Sequence, residues 1–419
     1  MRRIGLIAFA AALFCGCLFS PVVEAQDPVV VVKVSVPPTL LSPDALSEIE
    51  SACRLIASGE SPRAAAALQK AVTGTRSTAL AADLSVAAAR LLSTQNPPPP
   101  PSLTGDHDVD AYFFLVTTKA DAAPKAFFCL PLNQADVWLT PYLKEPLRLR
   151  PDLPENLSGI TADISALPAV IPVDLVAASA PGALSAWIPD HGGSGKVVVF
   201  RNLIAAYARD HLQKAAVKVL PAAWSRCVDG KALEWLVAMR RLAHGLGPVA
   251  VQKGAGAGII SVTESLKDTA RALEIIKADG LALLSGVRLA REQDEFGVSA
   301  EKIIATFVIY LLDRALHGSG DPARAFGIIL TQLVTDGGIR MDLKSGRLIP
   351  DSRLITESMR KLVQRVVRIQ GSGTEAEARE LLEGKLNRAT AQDHFVALFP
   401  LGLKAFNLQA EVKAAEKKP

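Results

Sequence analysis

Residues 239–248 read Met239-Arg240-Arg241-Leu242-Ala243-His244-Gly245-Leu246-Gly247-Pro248. They end a helical stretch, ALEWLVAMRRLAHGLGP, that runs from Ala232 to Pro248. On a helix of 3.6 residues per turn, Arg240 and His244 share one face. Three more segments stand in order around it. GKVVVFRNLIAAYARDHLQKAAVKVL (Gly195 to Leu220) precedes it. SVTESLKDTARALEIIKADGLALL (Ser261 to Leu284) and GIRMDLKSGRLIPDSRLITESMRKLVQRVVRIQGSG (Gly338 to Gly373) follow. From Asn202 onward nearly everything carries helical periodicity, with helices expected over 202–220, 231–245, 261–285, 299–317, 322–336, 352–370 and 374–385. Glycines at 318, 320, 337, 338, 371 and 373 mark the breaks.

A zinc helix of the H-E-x-x-H type places two metal-binding histidines at i and i+4, with a general-base glutamate after the first. His244 occupies the second histidine position, Arg240 the first, and Arg241 that of the glutamate. A guanidinium neither lends a lone pair to a cation nor accepts a proton at neutral pH. With its flanking segments, the chain resembles the bacterial branch of the dipeptidyl-peptidase III family of zinc metallopeptidases, over about residues 185–385. That family has a stretch like KVMFKN, a metal helix ending MHELxHGLGP, a helix ending EEAKAD, and a closing segment with iqG.G. Ile188-Pro189-Asp190 is similar to the family's LPND. The resemblance implies a third zinc ligand at the second glutamate of the E-E pair. Here Glu274-Ile275-Ile276-Lys277-Ala278-Asp279 puts Ile275 there. Glu274, one step earlier, is rotated by about 100° and is expected to point elsewhere. Catalytic zinc needs three protein ligands and an open water position. The degenerate positions Arg240, Arg241, His244, Glu274, Ile275 and Asp279 therefore imply no catalytic residue, no metal ligand set and no cofactor. Arg240 is expected to fill the vacated place and pair with Glu274 or Asp279, because a buried carboxylate that has lost its cation needs another.

The resemblance implies a mainly α fold with a minor β-containing lobe (α+β), a two-lobed metallopeptidase-like scaffold whose cleft takes short peptides in extended form. The expected role is a secreted or periplasmic non-catalytic homologue that binds peptides or an envelope protein, or serves structurally. Two other readings stay open. An active metal-dependent hydrolase would rebuild a site from His244 and Glu274, with Asp279 or the loop Asp106 to Asp110. An envelope scaffold would assemble through the Ala-rich N-terminal helices. Taken alone, His244 reads as an ordinary helix histidine beside a solvated Arg240-Arg241 face; the order of the flanking segments outweighs that.

Hydrophobic residues make up 49% of the 419 and aromatics only 5%, an Ala-rich balance that favours helices. Residues 1–25 read as a signal peptide: Arg2-Arg3, an apolar run from Ile4 to Phe19, and cleavage after Val23-Glu24-Ala25. That run is shorter than the roughly 20 residues that span a bilayer. Lipidation at Cys17 is less favoured, because Phe14 stands where a leucine is usual. Without the leader, 44 basic and 41 acidic residues leave +3. This is too little, and too evenly spread, for nucleic acid or an anionic membrane. No further segment reads as a membrane span. Cys53, Cys129 and Cys227 form no C-x-x-C pair and read as buried unpaired thiols rather than a disulfide.

Residues 26–95 read as a valine-rich tether or edge strand (Gln26 to Val36) and two to three Ala-rich helices between Ala45 and Leu92. Ser42 is the first N-cap, Pro43 lies in the first turn, and breaks fall near 59–62 and Gly74. Pro97 to Pro101 make residues 96–101 a stiff spacer. Residues 102–190 read as a small sheet-containing region, with β-like runs at 112–116, 125–130 and 135–139. Residues 191–419 read as the helical domain, entered through a short strand or extended lead-in at Lys196 to Phe200. The loop His191 to Lys196 lacks the spacing of a phosphate loop. Gly254 to Gly258 reads as a connector between two helices, and His107 with Asp106, Asp108 and Asp110 as a solvated acidic loop.

Overall fold

A computed structural model describes residues 30, 31, 34, 36–93, 111–116, 124–132, 138–143, 152, 153, 160, 161, 169–179, 183–188, 196–252, 258–317, 320–342 and 345–383. The leader, the proline spacer, the acidic loop at 106–110, Pro189, Asp190 and residues 191–195 and 253–257 lie outside these. In chain order the elements are β1 (Val30–Val31), α1 (Pro43–Ala57), α2 (Ser61–Thr73), α3 (Thr78–Leu92), β2 (Tyr112–Val116), β3 (Lys125–Pro131), α4 (Thr140–Leu143), β4 (Ile160–Thr161), β5 (Ala169–Ala178), β6 (Ser185–Ile188) and β7 (Lys196–Phe200). Next come α5 (Arg201–Tyr207), a π-helical turn (Ala208–Leu212), α6 (Gln213–Val219), α7 (Ala222–Ser225), α8 (Gly230–Ala243), β8 (Pro248–Gln252), β9 (Ile259–Ser261) and α9 (Val262–Leu266). The chain ends in α10 (Ala270–Glu292), α11 (Ala300–His317), α12 (Gly320–Thr335), β10 (Ile339–Asp342), β11 (Arg347–Pro350), α13 (Ser352–Ser372) and α14 (Glu375–Leu382). The fold is α+β and mainly helical, as expected, in two compact units.

The smaller unit takes residues 23–144 and 168–204. Ser42 caps α1 by accepting from the Ala45 N–H at 3.2 Å, and Ser77 caps α3 by accepting from Leu80 N–H at 3.3 Å. Alanines such as Ala52, Ala64, Ala71 and Ala88 are buried, so the three helices approach closely. The sheet runs β2-β3-β5-β7-β6, antiparallel except for the parallel pair β5 and β7, with β1 on β5. Both faces are covered. Phe113, Leu115 and Phe128 pack with α1–α3, while Tyr112, Phe114, Phe127, Cys129 and Phe200 form a second core. Two covered faces make β2 read as an unbroken apolar run. The helices before the proline tract and the strands after it thus share one core, rather than forming separate regions at 26–95 and 102–190. The ten-residue β5 was not legible as a strand because Pro172 interrupts it. Pro172 is tolerated because the β3 ladder begins only at Val173. Where β7 ends, the Asn202 amide continues the pairing, bonding both N–H (3.0 Å) and C=O (2.8 Å) of Leu175.

The larger unit takes residues 145–167 and 205–419. Helix α10 is its centre, packed against α8, α11, α12 and α13. Two glycines permit this. A Cβ on Gly280 would lie 2.3 Å from Val363 Cγ2, and one on Gly286 2.6 Å from Trp235 Nε1. Several expectations need correction. The span 261–285 is not one helix, since a 3-10 turn at Lys267–Thr269, with Lys267 at φ 51°, separates α9 from α10. Gly258 and the residues before it join β8 to β9, two strands rather than two helices. Hairpin β10–β11 fills the gap left between the helices expected at 322–336 and 352–370. Residues 138 and 139 form a turn into α4, not a strand; Leu139 accepts from Tyr142 N–H at 2.9 Å. No described helix is long and apolar enough to cross a membrane.

Candidate functional site

Asp229 starts α8, accepting from the N–H groups of Lys231 (2.8 Å) and Ala232 (3.1 Å) while its other oxygen holds Lys302 at 3.0 Å. Trp235, fully buried, donates from Nε1 to the Ala282 carbonyl of α10 at 2.9 Å. The two helices run antiparallel, so the last turn of α8 meets the first half of α10. There Arg240 Nε lies 3.5 Å from Asp279 Oδ1, and His244 Nδ1 lies 3.4 Å from Glu274 Oε1. Of the two carboxylates expected as partners for Arg240, the structure supplies Asp279. Glu274, expected to point elsewhere, faces His244. Ile275 is buried among apolar neighbours.

The electrostatics are set by burial. Arg240 and Asp279 are 16% and 4% exposed. Burial opposes the Arg240 charge, but Asp279 and Tyr310 outweigh it and raise its pKa. The guanidinium also sits over the Phe326 ring, 5.4 Å from the centroid. Burial raises the pKa of Asp279 despite the opposing pull of Arg240, His244, Arg314 and Arg241. Arg241 is pushed down to about 10 by burial and by the neighbouring Arg240 charge, and stays protonated at neutral pH. Burial lowers the pKa of His244 more than Glu274 raises it, so the imidazole is neutral near pH 7.

One residue that sequence reasoning missed dominates this corner. Lys277 is 1% exposed; its ammonium lies 2.8 Å from Glu274 Oε2 and donates to the Leu246 carbonyl. Gln370 Nε2 on α13 donates to the same Glu274 oxygen at 2.9 Å. Burial alone would raise the Glu274 pKa; Lys277 and His244 reverse that and hold it low, so it remains a carboxylate. Gly247, at φ 89°, lets the turn after α8 pass over Lys277, whose Cδ and Nζ would lie 3.6 Å from an added Cβ. The available signal was a lone lysine in the apolar run LEIIKADGLALL, three residues after Glu274. A neighbouring cluster was also missed. Asp313 on α11 accepts from the Tyr207 hydroxyl and meets His211 Nε2 at 2.8 Å, with the two rings stacked across the π-helical turn.

No protein-family model matches the chain, and no curated protein matches it significantly. Solved structures do. The structure of dipeptidyl-peptidase III from Caldithrix abyssi superposes with a TM-score of 0.67 at 19% identity, covering 83% of this chain and 69% of that one. Dipeptidyl-peptidase III from Corallococcus sp. strain EGB gives 0.60 at 20% identity, covering 82% and 67%. The chain has a dipeptidyl-peptidase III-like fold.

On that fold, the resemblance places a zinc ion between α8 and α10, and the residues present do not fit one. Between α8 and α10, the suitable donors that face each other are His244 and Glu274. Glu274 already carries an ammonium on its second oxygen. Asp279 is held by Arg240, and Ile275 offers no donor. Among the described residues, no three His, Cys, Asp or Glu side chains gather as a metal-binding group. A dication would have to sit beside the buried charges of Arg240 and Arg241, a repulsion strengthened by low local dielectric.

Proposed function

We propose that this protein is a secreted or periplasmic, non-catalytic relative of dipeptidyl-peptidase III that binds peptides or an envelope protein. One observation carries the loss of catalysis: the positions for two zinc ligands and the general base hold Arg240, Ile275 and Arg241, and Arg240 is committed to Asp279 at 3.5 Å. No side chain there can activate a water by the metal route. Peptide binding follows from the retained scaffold, since packing such as that of Trp235 and Gly286 on α8 and α10 does not depend on metal ligands. Secretion rests on the leader at residues 1–25.

The test is elemental mass spectrometry after dialysis against zinc, run with a hydrolysis assay on short peptides. Far less than one zinc per chain, no turnover above background and saturable binding of some of those peptides are expected. Stoichiometric zinc with turnover would overturn the proposal and favour the hydrolase built on His244 and Glu274. Absence of peptide binding would leave an envelope protein as the partner or a structural role.

A further inference from the structure

We propose that Arg240, Arg241 and Arg314 form a carboxylate seat, so that the peptides this protein takes are acidic or present a free C-terminus there. The proposal rests on the reading that the protein binds peptides. Arg240 and Arg241 lie in the last turn of α8. Arg314 comes from α11, one turn after Tyr310 and on the same helix face. Tyr310 joins the two helices: its hydroxyl bonds Arg240, and its ring stands edge-on to Phe326 with 6.2 Å between centroids. Phe326 is the ring that the Arg240 guanidinium covers. The charges of Arg240 and Arg314 both act on Arg241, so the three guanidiniums share one corner with an aromatic floor. All three residues are half-buried rather than sealed, and a ligand can reach them from solvent.

The carboxylates around this corner leave room for another. Glu274 is met by Lys277, and Asp313 accepts from Tyr207 and meets His211. Asp279 faces Arg240, Arg241 and Arg314 at once with a single negative charge. Its contact with Arg240 is loose: the pair is 3.5 Å apart, and the buried Arg240 Nε makes no hydrogen bond. Arg314 Nε is buried without a hydrogen bond as well. Buried donors without acceptors are costly, and like charges repel more strongly where the dielectric is low. A carboxylate supplies what both need, since its two oxygens accept from a guanidinium fork and its charge offsets the repulsion. Packing alone would have placed apolar side chains at these positions.

The test measures binding of short acetylated peptides to the full chain by titration calorimetry. The probes are a neutral peptide amide, the same amide with one glutamate, and the neutral sequence with a free C-terminal carboxylate. One of the two acids should bind about tenfold or more tighter than the neutral amide, as hydrogen bonds to a charged group imply. Which of them is tighter identifies the source of the carboxylate. Arg241→Met and Arg314→Met should each remove most of that preference and leave affinity for the neutral amide unchanged. Equal affinity for all three peptides would overturn this inference and leave peptide binding standing. A preference that survives both methionine variants would place the carboxylate elsewhere and overturn it too. Inorganic phosphate that displaces the acidic peptide at lower concentration than the peptide itself would assign the seat to phosphate, with the same result. If no peptide binds, the peptide-binding reading falls and this inference with it. If the methionine variants do not fold, Arg241→Lys and Arg314→Lys decide, because lysine keeps the charge but not the fork. A preference weakened in either supports the seat, and one unchanged in both overturns it.

Discussion

His244 shows how one side chain registers the chemistry of the site. Its neighbours are Glu274 on α10 and the two arginines of its own helix. Burial and those arginines disfavour the imidazolium, and Glu274 only partly offsets them. The folded-state pKa is therefore below the ordinary value of 6.5. Between 6.5 and that lower value the unfolded chain takes up a proton that the folded chain refuses, so stability present above 6.5 is lost as pH falls. Glu274 has the same sign lower on the scale: its folded pKa is lowered from 4.5, and its contribution is lost on acidification below that point. We expect His244→Gln to gain stability relative to wild type, read as melting temperature, as pH falls from 7.5 to 5.5, with little further relative change below pH 4.5. Equal slopes for wild type and His244→Gln would show that the imidazole does not sit in the field of Arg240 and Arg241.

At the level of elements, the contact of α10 with its neighbours is set by glycine. Replacing Gly280 with alanine gains about 1 kcal/mol of helix propensity. It also brings a Cβ within 2.3 Å of Val363 Cγ2, on a stiff β-branched side chain in α13. Overpacking costs about 1–3 kcal/mol, so Gly280→Ala should lower stability. Gly327 in α12 has nothing within 4 Å of its would-be Cβ, and Gly327→Ala should raise stability by up to about 1 kcal/mol. Chemical denaturation of the two variants checks the contrast; the same sign for both would refute it. The helices themselves were legible because the apolar period persists for three turns or more, as in α8, α11 and α13. The strands β8 to β11 were not. Each is three to five residues long, too short to show alternation, and glycines at 254, 256 and 258 looked like a helix connector. At the site, the residue types at 240, 241 and 275 could be read directly. The role of Lys277 could not, because a lysine's burial is decided by which carbonyl and carboxylate the fold brings to it.

Across the whole molecule, the cysteines test how the smaller unit is built. Cys53 lies in α1, in the core shared with Phe113, Leu115 and Phe128. Cys129 lies in β3 on the opposite face, with Phe114, Phe127 and Phe200. Both are fully buried and unpaired. Burial pushes the Cys53 thiol up to about 12 and Cys129 well above its ordinary value. Cys227 in the larger unit is half-buried, its thiol bonded to the Ala223 carbonyl at 3.2 Å. The thiolate is the reactive form, so an alkylating reagent at pH 8 should label Cys227 first and the other two only on unfolding. Peptide mapping by mass spectrometry after timed labelling separates the three. If the helices before the proline tract were a domain of their own, the α-facing side of β2 and β3 would be bare and the α1 interior open, and Cys53 would label without denaturant. Protection of Cys53 together with Cys129 is what a sheet buried on both faces requires, because loss of the helical layer exposes Cys53 and spares Cys129.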